Sequence, residues 1–353
     1  ADELQAEIPE VDAFYGVNDW NELLSNIIED YSDDDFTSRR MLSTPSHYAF
    51  LKIAEGCNRS CSYCAIPLIR GKFVSRPIDS LVQEAKQLVA DGAKELLIIA
   101  QDTTYYGMDI YGKRCLAELL ERLATESGAK WIRLHYTFPS SFPDDVIEVM
   151  KKYDCICNYI DIPLQHISDK VLDNMHRHVT GEWTRELIRK MRERVPGVVI
   201  RTTMIVGHPG EGKREFKELM DFVREARFER LGAFKYSEEE GTYGAENFKD
   251  SITARVKQER LDELMTLQSG MSLDFNQSRV GTLEKVIVDD FTDGVLVCRS
   301  EFESPEVDGE ILVKPDTEVI GDVDPYSLIG EFLMVKVTGA DEYDLIAEPV
   351  EIL

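Results

Sequence analysis

The chain has 353 residues, more than one hydrophobic core usually holds, so two or more domains are expected. No run of 18 apolar residues occurs, which excludes a membrane-spanning helix of that kind, and the first ten residues carry four acids and no apolar segment, which excludes a secretory signal within them. The formal charge of −26 is unevenly spread: residues 1–40 hold 12 acids against 2 bases, residues 41–280 hold 35 against 34, and residues 281–353 hold 19 against 4. Acidic flanks repel phosphate backbones and attract basic partners. Seven cysteines without a small disulfide scaffold fit a reducing cytoplasm.

In chain order, Val11–Gly16 reads as a strand running into a turn, and Asn18–Ile28 as a short helix capped by Asn18 or Asp19. Residues 30–46, rich in Asp, Ser, Thr and Arg, read as a linker. From Tyr48 the pattern alternates. Strands are expected at Ala49–Ala54, Glu95–Ala100, Trp131–Thr137, Tyr159–Pro163, Val198–Val206 and Leu231–Tyr236, each apolar enough for a buried parallel sheet. Helices are expected at Ile78–Ala90, Cys115–Glu126, Asp144–Lys151, Ser168–Met175, Glu182–Glu193 and Glu215–Ala226, with a longer one at Thr253–Phe275. Six such units make an α/β protein, either an open doubly wound sheet or a partial barrel, and both place function at the carboxyl ends of the strands. Beyond Gly281 the period becomes two, and five short strands predict a small OB-like all-β barrel. Its acidity argues against nucleic-acid binding. The domains are accordingly drawn as 1–45, a remnant plus linker; 46–280, the core with its closing helix; and 281–353, the acidic barrel.

After the first core strand comes Cys57-Asn58-Arg59-Ser60-Cys61-Ser62-Tyr63-Cys64. Three thiolates on one loop can hold three irons of a cubic iron–sulfur cluster and leave the fourth open to a small molecule. Zinc is the main rival, since it shares soft thiolate ligands, but the paired Cys-x2-Cys spacing of structural zinc sites is missing. The remaining cysteines, Cys115, Cys155, Cys157 and Cys298, lie far off in sequence.

This loop resembles that of radical S-adenosylmethionine (SAM) enzymes, and the following Ala65-Ile66-Pro67-Leu68-Ile69-Arg70-Gly71-Lys72 narrows the resemblance to the methylthiotransferases. Similar stretches are Ala100–Gly107, Tyr159–His166, Met175-His176-Arg177, Ile205–Glu211 and Tyr236–Thr242, and the terminal module resembles a TRAM domain. The resemblance implies a partial (β/α)6 TIM-like radical SAM barrel followed by the TRAM barrel. Within the family it is nearest to the kind that modifies an aspartate of small-subunit ribosomal protein twelve. The kind that modifies an adenosine of transfer RNA is the alternative, disfavoured by the acidic barrel. An unrelated alternative is a scaffold whose cluster is structural.

The resemblance also implies cofactors and partners. One 4Fe-4S cluster would be held by Cys57, Cys61 and Cys64. SAM would be split to a radical that takes hydrogen from the aspartate β-carbon. Other participants would be the basic ribosomal protein, an electron donor such as flavodoxin, and a sulfur source. Family members carry a second cluster in an N-terminal domain; no cysteine precedes Cys57 here, so a single cluster and incomplete turnover are expected of this chain. Arg177 and Asp161 are the candidate catalytic residues. Tyr63, Gln101, Asp102, Gln165, His166, Arg201, Gly207 and Pro209 are the candidates for holding SAM. His208 carries no expected role for its imidazole.

Overall fold

The structure, a computed structural model, describes residues 2–16, 19–28, 41–321 and 323–353. The first eight strands are β1 Tyr48–Lys52, β2 Ala54–Glu55, β3 Val74–Ser75, β4 Glu95–Ile99, β5 Trp131–Leu134, β6 Ile156–Asp161, β7 Val199–Val206 and β8 Arg230–Lys235. Six of them form one parallel sheet in the order β1-β4-β5-β6-β7-β8. That order never reverses, so the sheet lacks the switch point of a doubly wound fold and is a partial barrel, open between β1 and β8.

The strands are short runs of aliphatic residues because both faces are covered: Leu96, Leu97 and Ile98 of β4 have no solvent exposure. The covering helices each turn one stripe inward. Ile78–Ala90 buries Ile78, Leu81, Val82, Ala85 and Leu88, the three-and-four spacing of one helical face, and Lys213–Ala226 does the same with Phe216, Leu219, Met220 and Val223. Ala254–Arg279 packs along β8 and closes that side of the sheet.

Strands β9 Leu283–Thr292, β10 Val295–Ser300, β11 Ile311–Val313, β12 Phe332–Ala340 and β13 Leu345–Ile352 close into a barrel in the order β10-β11-β13-β12-β9, around Val286, Val288, Leu296, Leu333, Val335 and Val337.

Three local expectations differ from the structure. Residues 11–16 form no strand, for they are largely exposed and pair with no neighbouring chain, and a helix, Asp2–Glu7, precedes them. Asp19 stands at the start of Trp20–Ile27, but its carboxylate accepts from the Gly16 amide rather than from the helix; Asn18 and most of the expected linker lie outside the described residues. β5 stops at Leu134, short of Thr137, because Tyr136 takes the left-handed conformation, φ 54°.

The terminal barrel is locked to the amino ends of the parallel strands. Glu95, fully buried at the start of β4, receives Arg133 Nε at 2.7 Å and stands 2.9 Å from Arg299 Nη1 of β10. Arg299 also pairs with Asp289, which holds His47 at 2.7 Å. The turn after β10 enters beneath the sheet: Arg133 donates to the Glu301 carbonyl, Glu301 accepts from the Asn158 amide, and Tyr159 donates to Asp308. Glu303, also buried, accepts from Arg230 at 2.9 Å and from Arg279.

Burial alone would raise the Glu303 carboxyl, but the Arg279 and Arg230 guanidiniums hold it well below the usual carboxylate range. Its stabilising effect is therefore full above pH of about 4.3, the ordinary glutamate value, and is lost only as pH falls through the depressed folded value. Glu303→Ala, which leaves two guanidiniums buried with fewer partners, should cost about 3–5 kcal/mol in a urea denaturation at pH 7, with a smaller deficit at the acid limit.

Candidate active site at the carboxyl ends of the strands

The loop from Cys57 to Cys64 leaves the short β2–β3 hairpin and runs into the helix Ile66–Arg70, neither of which the sequence pattern had suggested. Gly56 opens it at φ 78°, where an added Cβ would fall 2.2 Å from the Lys72 carbonyl oxygen, so only glycine fits. The loop is clasped from several sides. Cys57 N donates to the Gly71 carbonyl and Asn58 Oδ1 accepts from the Phe73 amide. Ser62 N donates to Met175 O, while Ser62 O accepts from Gly244 N at 2.6 Å.

All three thiols line one cavity of about 500 Å³ at the carboxyl ends of the strands. The other four cysteines are elsewhere, Cys115, Cys157 and Cys298 among packed apolar side chains and Cys155 against the main core. Burial pushes the Cys57 thiol up to about 11 and raises Cys64 as well, so binding a metal there must displace protons. Among the described residues no three Cys, His, Asp or Glu side chains are drawn together closely enough to hold a metal ion. Thiols spread around a cavity suit a multi-iron cluster, which is wider than one ion.

The rest of the wall is polar and incompletely satisfied. Among the described residues eleven buried side-chain atoms lack a hydrogen-bond partner, and four belong to this cavity: Arg59 Nη2, Gln101 Oε1, Gln165 Oε1 and Arg177 Nε. Unpaired buried groups are costly, and clustered in one cavity they mark where a ligand's polar atoms fit. Gln101 is fixed by donating to Glu55 at 2.9 Å. Gln165 is held left-handed at φ 73°, its backbone bonded to Thr203 and Ile205. Arg177, 3% exposed, donates to the Pro163 carbonyl and reaches Cys61 Sγ at 3.6 Å and the Tyr63 hydroxyl at 3.4 Å. Burial lifts the Tyr63 phenol above its ordinary range, so it keeps its proton.

Of the residues expected to touch SAM or substrate, Tyr63, Gln101, Gln165 and Arg177 line the cavity; Asp102, Asp161, His166, Arg201, Gly207 and Pro209 do not. Asp102 stands behind the wall and holds Arg59 Nε at 2.7 Å. Asp161 is wholly buried, and its carboxylate is committed to the Tyr136 amide at 3.0 Å, to Arg201 at 3.0 Å and to His135 at 3.6 Å. Burial would raise that carboxyl, but His135 and Arg201 hold it below the usual value. Both oxygens of Asp161 already have partners and the residue does not line the cavity, whereas Tyr136, whose amide it accepts from, does.

Arg201 is drawn the other way, between Asp161 and Asp308 of the terminal barrel. His166 accepts from the Ser168 amide and faces Glu211. Gly207 donates to Glu211, and a Cβ on it would strike Lys257 at 2.4 Å; the Pro209 carbonyl accepts from Asn174. Arg59, Tyr136 and Phe138 were missed. Arg59 was within the cysteine loop in plain sight, and the strand-end rule, applied to β5, would have found the other two.

The comparisons with known proteins agree with this geometry. Residues 51–223 match the model of the radical SAM superfamily and residues 280–350 that of the TRAM domain. The ribosomal protein uS12 methylthiotransferase RimO of Phocaeicola vulgatus is 51% identical over 98% of this chain and 78% of its own length. That of Porphyromonas gingivalis is 49% identical over 99% of this chain and 79% of its own. The chain belongs to the uS12 methylthiotransferase family of radical SAM enzymes. In fold alone, this family member is similar to coproporphyrinogen III oxidase HemN from Escherichia coli, with a TM-score of 0.52 at 17% identity, over 87% of this chain and 71% of that one.

His208 packs against Tyr63, Tyr236 and Phe248 and has no solvent exposure. Burial brings its imidazole down to about 4, so the ring stays neutral and its Nδ1 donates to the Pro209 carbonyl. As pH falls from about 6.5 toward 4 the unfolded chain takes up a proton that the folded chain refuses, and stability drops. His208→Phe keeps the packing and loses the hydrogen bond to Pro209 and the longer one, 3.5 Å, with Ser62 Oγ. It should cost about 1 kcal/mol at pH 7.5 and flatten the loss of stability between pH 6.5 and 4.5, measured by denaturation midpoints.

Proposed function

We propose that this chain carries out radical C–H activation on uS12, inserting a methylthio group at the β-carbon of one of its aspartates. The observation that carries the reading is the coincidence of three thiols on one loop with a cavity whose other walls present unsatisfied polar atoms. In this reading Cys57, Cys61 and Cys64 hold a four-iron cluster and leave one iron open toward the cavity. When bound, the cluster supplies the electron that splits the carbon–sulfur bond of SAM.

The chain's own residues bind and orient. The free carbonyl oxygens of Gln101 and Gln165 accept from amino and hydroxyl groups of SAM, which removes two of the unpaired atoms at once. Tyr63, neutral and packed edge-on to His208, offers an apolar face to the adenine and keeps water from the cluster. Arg177 points a guanidinium nitrogen at the Cys61 sulfur, a contact that raises the potential of a bound cluster. Asp161 acts at one remove, by holding the backbone of Tyr136.

The partner is argued from charge. Residues 281–353 carry a net −15, which attracts a basic ribosomal protein and repels the phosphates of transfer RNA. The electron, the sulfur and the methyl group come from outside the chain: from a donor such as flavodoxin, from a sulfur source and from a second molecule of SAM. No helix among the described residues is long and apolar enough to cross a membrane, which suits a cytoplasmic target.

Two measurements test this. Anaerobically reconstituted protein should contain iron and acid-labile sulfide and release 5′-deoxyadenosine from SAM under a strong reductant. Replacing any one of Cys57, Cys61 or Cys64 by Ala should lower that release by more than about 100-fold, the scale of losing an essential catalytic part. With uS12 deuterated at aspartate β-carbons, deuterium should appear in the 5′-deoxyadenosine. Transfer from adenosine-labelled transfer RNA instead would overturn the assignment.

A further inference from the structure

Among the described residues, no acid lines the cavity that holds the three thiols. The wall instead carries Lys52, Arg59 and Arg177; behind it Glu55 pairs with Lys52 and holds Gln101, and Asp102 pairs with Arg59, while Arg177 has no carboxylate partner among the described residues. In a chain of net charge −26 this is a cationic chamber, and it is built for an anion.

Two of those cations share one support. The guanidinium carbons of Arg59 and Arg177 each stand 4.0 Å from the centroid of the Phe138 ring. Both cations therefore lean on the same phenyl ring. The π-faces hold the charges in place but do not satisfy their N–H groups. Arg59 spends Nε on Asp102, and Arg177 spends Nη1 and Nη2 on Cys61, Tyr63 and Pro163. Arg59 Nη2 and Arg177 Nε remain buried without an acceptor, and Arg177 has no carboxylate partner among the described residues. Two guanidinium donors without an acceptor, on residues that line one cavity, suit a carboxylate, which has an oxygen for each.

We propose that Arg59 and Arg177, both braced on the ring of Phe138, form a receptor for a carboxylate and thereby select an acidic side chain in the protein substrate. The inference rests on the uS12 reading and deepens it, since it explains why aspartate rather than its amide is taken. The α-carboxylate of SAM offers the same chemistry, and the test separates the two sources.

The test uses cluster-loaded, SAM-bound, unreduced protein, so no turnover occurs. Fluorescent peptides of the uS12 loop, one with the target aspartate and one with asparagine in its place, are titrated by anisotropy. Wild type should bind the aspartate peptide about tenfold or more tightly, about 1.4 kcal/mol, and Arg59→Gln or Arg177→Gln should shrink the ratio to within about twofold. Arg59→Lys, which keeps the charge but loses the second planar donor, should shrink it partway and serves if the glutamine variant fails to load iron. A second arm titrates SAM against decarboxylated SAM. If the preference for SAM collapses in the variants while the peptide ratio stands, the receptor holds the cofactor's carboxylate, and selection of substrate by it is overturned. If both preferences survive in the variants, the receptor itself is overturned. A wild type that still cleaves SAM but binds neither peptide would instead sink the uS12 reading.

Discussion

Everything at the top of this molecule depends on the ion pairs buried at its bottom. Glu95 stands between Arg133 of the parallel sheet and Arg299 of the terminal barrel, and Glu303 between Arg230 and Arg279, all nearly or wholly removed from water. A buried charge is tolerable only while its partner stays in place, so each pair penalises any rearrangement of one unit against the other far more than it rewards assembly. The result is a fixed floor. The polar chain rising from it, Ser304 to His135 to Asp161 to the Tyr136 amide, runs from the terminal barrel to the wall of the cavity.

Above that floor the local backbone is strained where the chemistry is. Tyr136, Gln165, His176 and His178 all have positive φ without being glycine, and the first two line the cavity. Such conformations persist only when surrounding bonds over-determine them. Asp161 does so for Tyr136, and the Thr203 and Ile205 bonds do so for Gln165. His176 is pinned through Nδ1 to the Ser60 carbonyl and by its contact with Tyr243. The cysteine loop thus leans on a segment that is itself held from outside, and its three thiols line one cavity.

Charge is partitioned with equal purpose. Residues 281–353 carry a net −15, while among the described residues the cavity wall holds three cations and no acid. The proposed partner and the proposed receptor use these opposite signs, a basic protein attracted at long range and an acidic group on it recognised at close range.

Much of this was legible before any fold was known. The cysteine spacing, the alternation of strands and helices, and the change of period at Gly281 are all local patterns, and local patterns survive in one dimension. They fixed the partial α/β character, the terminal barrel, the metal loop and the strand ends where a site must lie. They could not tell a partial barrel from a doubly wound sheet, because that choice is strand order, a relation between distant segments. Nor could they separate Asp161, an acid at a strand end whose oxygens are all engaged, from Arg177, a base with one nitrogen left free. What a polar side chain can do depends on which of its bonds are already made, and those partners, Arg201 for Asp161 or Phe138 for Arg59 and Arg177, come from other strands and loops that only folding brings together.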